Sequence, residues 1–125
     1  MKQVNRDSAA SSTPNPVSRR RALRLQAPNG VTITLSDPRI AATPVDIGTG
    51  GVGLITNLPL GRGVVYGLTL RLGKKAVTCQ ARAAHSRRVG DGRWLVGMAF
   101  VTDEQVTASV DGFLDAITAS QLEFS

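Results

Sequence analysis

The sequence predicts an all-β domain of six short antiparallel strands, in a barrel or sandwich, followed by one C-terminal helix. Apolar and polar residues alternate with period two through most of the chain between about residues 31 and 101. After Thr102 the apolar residues recur at spacings of three and four, which is typical of a helix. Several short strands with turn signals between them, and no intervening helix, favour a barrel or a sandwich.

The strands are predicted one by one from this alternation. Val31, Ile33 and Leu35 alternate with threonines, between a turn signal at Pro28-Asn29-Gly30 and a stop at Asp37-Pro38. Five further strands are predicted at about residues 40–47, 52–57, 64–72, 75–87 and 93–101. Hairpin turns are expected at Gly73-Lys74-Lys75 and Gly90-Asp91-Gly92, the second with an Asp-Gly pair that favours positive φ.

The C-terminal helix is predicted over residues 102–121. Thr102 and Gln105 fit a capping box, in which each side chain bonds a free backbone N–H at the start of the helix and adds roughly 1 kcal/mol. One apolar stripe follows at helical spacing, and we expect it to pack on the barrel: Val106, Val110, Phe113, Leu114 and Ile117.

Charge is distributed unevenly along the 125 residues, which suit one domain. Residues 1–25 contain six Lys/Arg and one Asp, and residues 26–102 contain nine Lys/Arg and three Asp. Residues 103–125 contain no Lys/Arg and five Asp/Glu. Residues 1–18 are rich in Ser, Ala, Asn, Thr and Pro and predict a flexible arm before a domain at residues 19–101. This asymmetry indicates an anionic ligand on one face.

Several classes of protein are disfavoured by what the sequence contains. No apolar run approaches the ~20 residues of a membrane span, and the first residues do not resemble a signal peptide, so a cytoplasmic protein is expected. Cys79 is the single cysteine and is expected in the core, while His85 is the single histidine and is expected to be a surface or lightly packed residue rather than a base. These two residues give no metal-ligand spacing, and no nucleophile elbow is present. No catalytic residue, metal or cofactor is therefore predicted, and the protein is not expected to be an enzyme.

An arginine cluster and a glycine-rich run carry the functional prediction. The cluster is Arg19, Arg20, Arg21 and Arg24, and the run is Asp46-Ile47-Gly48-Thr49-Gly50-Gly51. A guanidinium matches a phosphate or the O6/N7 edge of guanine in bidentate fashion. A carboxylate accepts hydrogen bonds from the opposite edge of guanine, and glycines let the backbone approach a ligand. Together the two segments predict a site for a guanine nucleotide.

The same segments resemble the PilZ domain, the bacterial receptor module for cyclic di-GMP. Its pattern is R-x-x-x-R followed by D/N-x-S-x-x-G about twenty residues later, on a six-stranded barrel with helical additions. Arg20 and Arg24 match the first motif, and Asp46 and Gly51 match the ends of the second. The later Gly97-Met98-Ala99-Phe100 is similar to the last strand of the family.

This resemblance implies a ligand and the residues that contact it. Arg20 and Arg24 would hold phosphates and guanine edges, and Asp46 the Watson–Crick edge of a second guanine. Gly48 stands where the family usually has serine, so one hydrogen bond worth ~1 kcal/mol is lost and weaker binding is implied. The residue before the first motif arginine bears on stoichiometry in PilZ domains; here it is Arg19, and two intercalated ligand molecules are implied.

The resulting hypothesis is an adaptor that binds cyclic di-GMP and passes the signal to an unidentified effector protein. The ligand would neutralise the basic arm and draw it onto the barrel. One alternative is a PilZ-fold adaptor that no longer binds the nucleotide and acts by protein contact alone, for which Gly48 argues. A second is a nucleic-acid binder led by the basic arm, which the scarcity of aromatic residues disfavours.

Overall fold

A single antiparallel sheet and one helix form the part of the chain that the computed structural model describes, residues 24–123. In chain order the elements are β1 Arg24–Gln26, β2 Val31–Leu35, β3 Ala42–Gly48, β4 Gly51–Thr56, β5 Val65–Leu72, β6 Lys75–Gly90, β7 Arg93–Phe100 and α1 Glu104–Glu123. Across the sheet the order is β1-β3-β4-β7-β6-β5-β2, and every neighbouring pair is antiparallel.

The sheet curves into a half-barrel around the hydrophobic core. At one edge β2 comes close to β3, while α1 packs against β5 and β6. Each strand contributes its inward-facing residues to a cluster that α1 completes, because successive strand residues face opposite sides. The largest fully buried side chains are Phe113, Ile47, Leu54, Leu68, Leu70, Leu114 and Ile117.

The antiparallel β architecture and the C-terminal helix are confirmed, but the predicted six-stranded barrel is corrected to a seven-stranded half-barrel. Seven strands are present in the described part of the chain, with β1 and β2 as the two edges of the sheet. The strand that the sequence did not predict is β1, which pairs with β3. This strand has only three residues, of which Leu25 is half-buried and the other two are exposed, so it is too short to show an alternation of apolar and polar residues. The predicted arm, residues 1–18, lies outside the described residues.

Local predictions for the turns and the single cysteine agree with the structure. Gly73 and Gly92 have φ of 59° and 64°, the left-handed region that each hairpin turn requires of its glycine. Cys79 is buried in the core, and its burial raises the pKa of the thiol because the thiolate would lose hydration. This cysteine is therefore a packing residue.

The helix begins differently from the sequence prediction. Val101 still donates a backbone hydrogen bond to Gln80, so the chain leaves the sheet only after that residue. Asp103 then acts as the N-cap, because its Oδ1 accepts from the backbone N–H of Val106 at 2.8 Å. The prediction that Thr102 caps the helix is wrong by one residue. The apolar stripe is confirmed, with Val106 half-buried and the other four residues buried.

Candidate functional site

The glycine-rich run forms a tight hairpin between β3 and β4. Asp46, Ile47 and Gly48 end β3, Thr49 and Gly50 make the turn, and Gly51 begins β4. The backbone carbonyl of Gly50 accepts from the N–H of Phe100 at 2.9 Å, which ties the turn to β7. Ile47 is fully buried, and the alternation along the strand turns Asp46 to the outer face of the sheet.

Gly51 is required by a close approach of two backbones. A Cβ built at this position would lie 1.9 Å from the carbonyl oxygen of Met98, on the neighbouring strand β7. Positive φ does not explain this glycine, because among the described residues it occurs at Gly63, Gly73 and Gly92 only. The structure thus gives Gly51 a role in strand packing, whereas Gly50 has open space around its Cβ direction.

Arg24 joins Asp46 on the outer face. Its strand β1 runs beside β3, where Arg24 is the ladder partner of Gly48 and Gln26 that of Asp46. The guanidinium Nη2 donates to Asp46 Oδ1 at 2.6 Å, across 22 residues of sequence. The side chains remain 48% and 38% exposed, so this surface ion pair adds only about 0–1 kcal/mol to stability. Arg24 and Asp46 are thus held together and remain accessible.

Two glycines lie at the centre of the outer face, next to this ion pair. Gly53 on β4 is directly opposite Gly97 on β7. Asp46 is the partner of Gly53 on one side, and His85 is the partner of Gly97 on the other. A Cβ at Gly53 would lie 2.7 Å from Asp46 Oδ1, and one at Gly97 would lie 2.2 Å from His85 Nε2. The missing side chains therefore allow Asp46 and His85 to extend over the sheet towards each other.

A β-bulge in β6 sets the position of His85. Ala83 pairs with Met98 and His85 with Gly97, so Ala84 is an extra residue in β6. Ala81 and Ala83 are buried, and regular alternation would put His85 on the inner face as well. The extra residue instead leaves His85 exposed on the outer face, as the sequence predicted, and its imidazole lies over Gly97.

These residues surround a shallow pocket of about 540 Å³. Its volume lies within the range of roughly 300–1,000 Å³ that is usual for small-molecule sites. Arg24, Asp46 and His85 supply polar groups, and glycines and alanines form much of the remaining surface: Gly50, Gly51, Gly53, Gly97, Ala84 and Ala99. Such a pocket can bind a flat, polar, anionic ligand. In residues 24–123 no group of three or more His, Cys, Asp or Glu is placed to hold a metal ion.

The structure brings some of the predicted site residues together, and others lie outside the part of the chain that it describes. Arg24 and Asp46 are in contact, and Gly48 is paired with Arg24 in the ladder. Arg19 and Arg20 lie outside the described residues. His85, Gly53 and Gly97 also line the pocket, and the sequence did not predict them as site residues. The glycines were visible in the sequence, but the register that makes them opposite each other was not.

The fold is that of a small β domain with a pocket for a small molecule on its outer face. Comparison with known proteins identifies the family. The family model described as the PilZ domain matches residues 18–113. The chain therefore belongs to the PilZ family, whose members are ligand-binding and adaptor domains rather than enzymes.

Comparison with solved structures agrees with this fold. The uncharacterized Legionella protein Lpg0364 matches with a TM-score of 0.59 and 16% sequence identity, over 79% of this chain and 97% of its own. At this identity the likeness establishes the fold alone. None of the curated proteins matches the chain. Within residues 24–123, no helix has the length and apolar character that a membrane crossing requires.

Proposed function

We propose that this PilZ domain binds cyclic di-GMP on the outer face of its half-barrel and passes the signal to a protein partner by contact. The observation that carries the proposal is the pairing of Arg24 with Asp46 beside a pocket with a glycine-rich surface. Both residues match the family's ligand motifs, and they come from segments that are distant in sequence. Membership of the PilZ family supports the choice of ligand.

The chemistry of the ion pair supports guanine and phosphate as the bound groups. A carboxylate has about four lone-pair sites, so Asp46 can accept from guanine N1–H and its amino group while it still contacts Arg24. A guanidinium has five N–H donors, of which Arg24 uses one on Asp46. The remaining donors of Arg24 can bind a phosphate or a guanine edge. The ion pair is weak, so its rearrangement around a ligand costs little.

Arg19 and Arg20 complete the proposed site from the segment before β1. Arg20 would bind phosphate or a guanine edge, and Arg19 would lie against a second, intercalated ligand molecule. Because Arg19 would contact this second molecule, two molecules of cyclic di-GMP per chain are proposed. Gly48 provides no hydroxyl for the ligand, and Gly51 lets the hairpin approach β7 closely.

Transfer of the signal is proposed to involve charge. Residues 1–25 have six basic residues and one acidic residue, a net charge of +5. Residues 103–125 have no basic residue and five acidic residues, a net charge of −5. An anionic dinucleotide bound beside Arg24 would neutralise part of the basic segment and change the surface that a partner meets. The partner would recognise this altered surface, since the family acts by ligand binding and contact.

Calorimetric titration tests the proposal against both alternatives. Cyclic di-GMP is expected to bind, whereas GTP and a short single-stranded RNA bind at least tenfold more weakly. Tight RNA binding that weakens steeply with salt would instead identify a nucleic-acid binder. If none of the three ligands gives a heat of binding or changes the circular dichroism spectrum, the remaining alternative is an adaptor that acts by protein contact alone.

A further inference from the structure

We propose that His85 is a nucleotide-binding residue of this site and that its imidazole donates a hydrogen bond to N7 of the guanine whose Watson–Crick edge is held by Asp46. This inference rests on the proposed function and adds a contact to it. The residue lies on β6, three strands away from β3, and neither ligand motif contains it.

Geometry brings the two side chains to the same ligand. Asp46 Oδ1 lies near the Cβ direction of Gly53 and His85 Nε2 near that of Gly97. Directly paired strand residues have Cβ positions about 4.5–5.5 Å apart, so the two polar atoms are within roughly 10 Å of each other. No hydrogen bond joins them in the described part of the chain. A single purine with one hydrogen bond at each end can span such a gap.

The chemistry of the two groups is complementary to opposite edges of guanine. A carboxylate accepts from N1–H and the amino group, whereas N7 and O6 are acceptors that require a donor. An imidazole offers one N–H donor when neutral and two when protonated. Adenine reverses the donor pattern on the edge that Asp46 would hold, so the pair favours guanine.

The bulge at Ala84 makes this contact possible. It turns His85 from the inner to the outer face, and the absence of a side chain at Gly97 leaves room for the imidazole. Ala81 and Ala83, which precede the bulge on β6, are buried on the inner face. Bulges of this kind commonly orient a side chain next to a functional site.

A thermodynamic cycle with a ligand analogue tests the N7 contact. The unmodified protein should bind the 7-deaza analogue of cyclic di-GMP at least fivefold more weakly than cyclic di-GMP, the cost of losing one or more hydrogen bonds. His85→Ala should bind cyclic di-GMP about fivefold more weakly, and its discrimination between the two ligands should be about fivefold smaller. Arg87→Ala, on the same strand, is the control and should keep the full difference between them.

A conservative variant gives a second test. His85→Gln keeps a side-chain N–H donor and should therefore bind the 7-deaza analogue more weakly, relative to cyclic di-GMP, than His85→Ala does. Circular dichroism establishes that each variant is folded.

The outcomes separate this inference from the proposed function. If cyclic di-GMP binds but His85→Ala discriminates against the 7-deaza analogue as strongly as the unmodified protein, or loses no affinity, the assignment of His85 is overturned and the function stands. If cyclic di-GMP does not bind to the folded protein, the proposed function itself fails, and the inference fails with it.

Discussion

Gly53 and Gly97 lie directly opposite each other on β4 and β7, and each is covered by a side chain that extends from the next strand outward. Asp46 covers the first glycine and His85 the second. The glycine pair thus creates the space in which an acidic group and an imidazole converge. Arg24 lies at the edge of this arrangement, where it donates to Asp46.

Removal of either member of the ion pair should weaken nucleotide binding. Arg24→Ala and Asp46→Ala are each expected to reduce the affinity for cyclic di-GMP at least tenfold, because a charge-assisted hydrogen bond contributes about 1.5–3 kcal/mol. Calorimetric titration measures the change. Asp37→Ala is a matched control, since Asp37 forms an ion pair with Arg39 at 2.7 Å outside the pocket. Unchanged affinity in both test variants would refute the assignment.

A methyl group at Gly53 should displace the Asp46 carboxylate. In Gly53→Ala the new Cβ would lie 2.7 Å from Oδ1, too close for the present rotamer. We expect the affinity for cyclic di-GMP to fall by roughly the same factor as in Asp46→Ala. In the double variant the two effects should not add, because both act through the same carboxylate. Fully additive losses would show that Gly53 acts independently of Asp46.

Gly51 and Gly50 should differ in their effect on stability, although they are neighbours. Gly51→Ala would place a Cβ 1.9 Å from the Met98 carbonyl oxygen, and we expect it to destabilise the fold by about 1–3 kcal/mol. Gly50→Ala meets no atom within 4 Å and should change the free energy of unfolding by less than about 0.5 kcal/mol. Urea denaturation compares the two variants, and equal stabilities would contradict the prediction.

The helix cap can be tested in the same way. Asp103→Ala should destabilise the protein by about 1 kcal/mol, because the N–H of Val106 loses its acceptor. Thr102→Ala should leave the unfolding free energy nearly unchanged. A larger effect of Thr102→Ala than of Asp103→Ala would contradict the Asp103 cap and support the capping box that the sequence predicts.

Stoichiometry provides a further prediction, for a residue outside the described part of the chain. If Arg19 lies against a second guanine, the unmodified protein should bind two molecules of cyclic di-GMP per chain. Arg19→Leu should shift the ratio towards one while it preserves binding of the first molecule. Calorimetry at a protein concentration well above the dissociation constant gives the ratio. A one-to-one ratio in the unmodified protein would argue against intercalated ligands.

Several features of this protein could be predicted from local sequence patterns. Alternation in segments such as Val31–Leu35 identified strands because one face of each is buried and the other is solvated. The stripe on α1 identified the side of the helix that packs on the sheet. The spacing of Arg24, Asp46 and Gly51 indicated the family, and the family model matches residues 18–113.

Other features depended on contacts between distant segments. The strand β1 exists because Arg24–Gln26 can pair with β3, and three residues carry no periodic signal of their own. The exposure of His85 was expected from the sequence, but the face of the sheet on which it lies depends on a bulge, since one extra residue moves every later side chain to the opposite face. Alternation from Ala81 and Ala83 would place this imidazole inside the core.

The sequence by itself therefore determined the secondary structure types, the buried faces and the residues of the ligand motifs, because these depend on patterns within a few residues. The tertiary structure decided which residues meet. Asp46, Gly53, Gly97 and His85 form one row because four strands pair in a particular register, with extra residues at Val45 and Ala84. Register is fixed by packing and backbone hydrogen bonds between strands that are far apart in sequence, so no local pattern could specify this row.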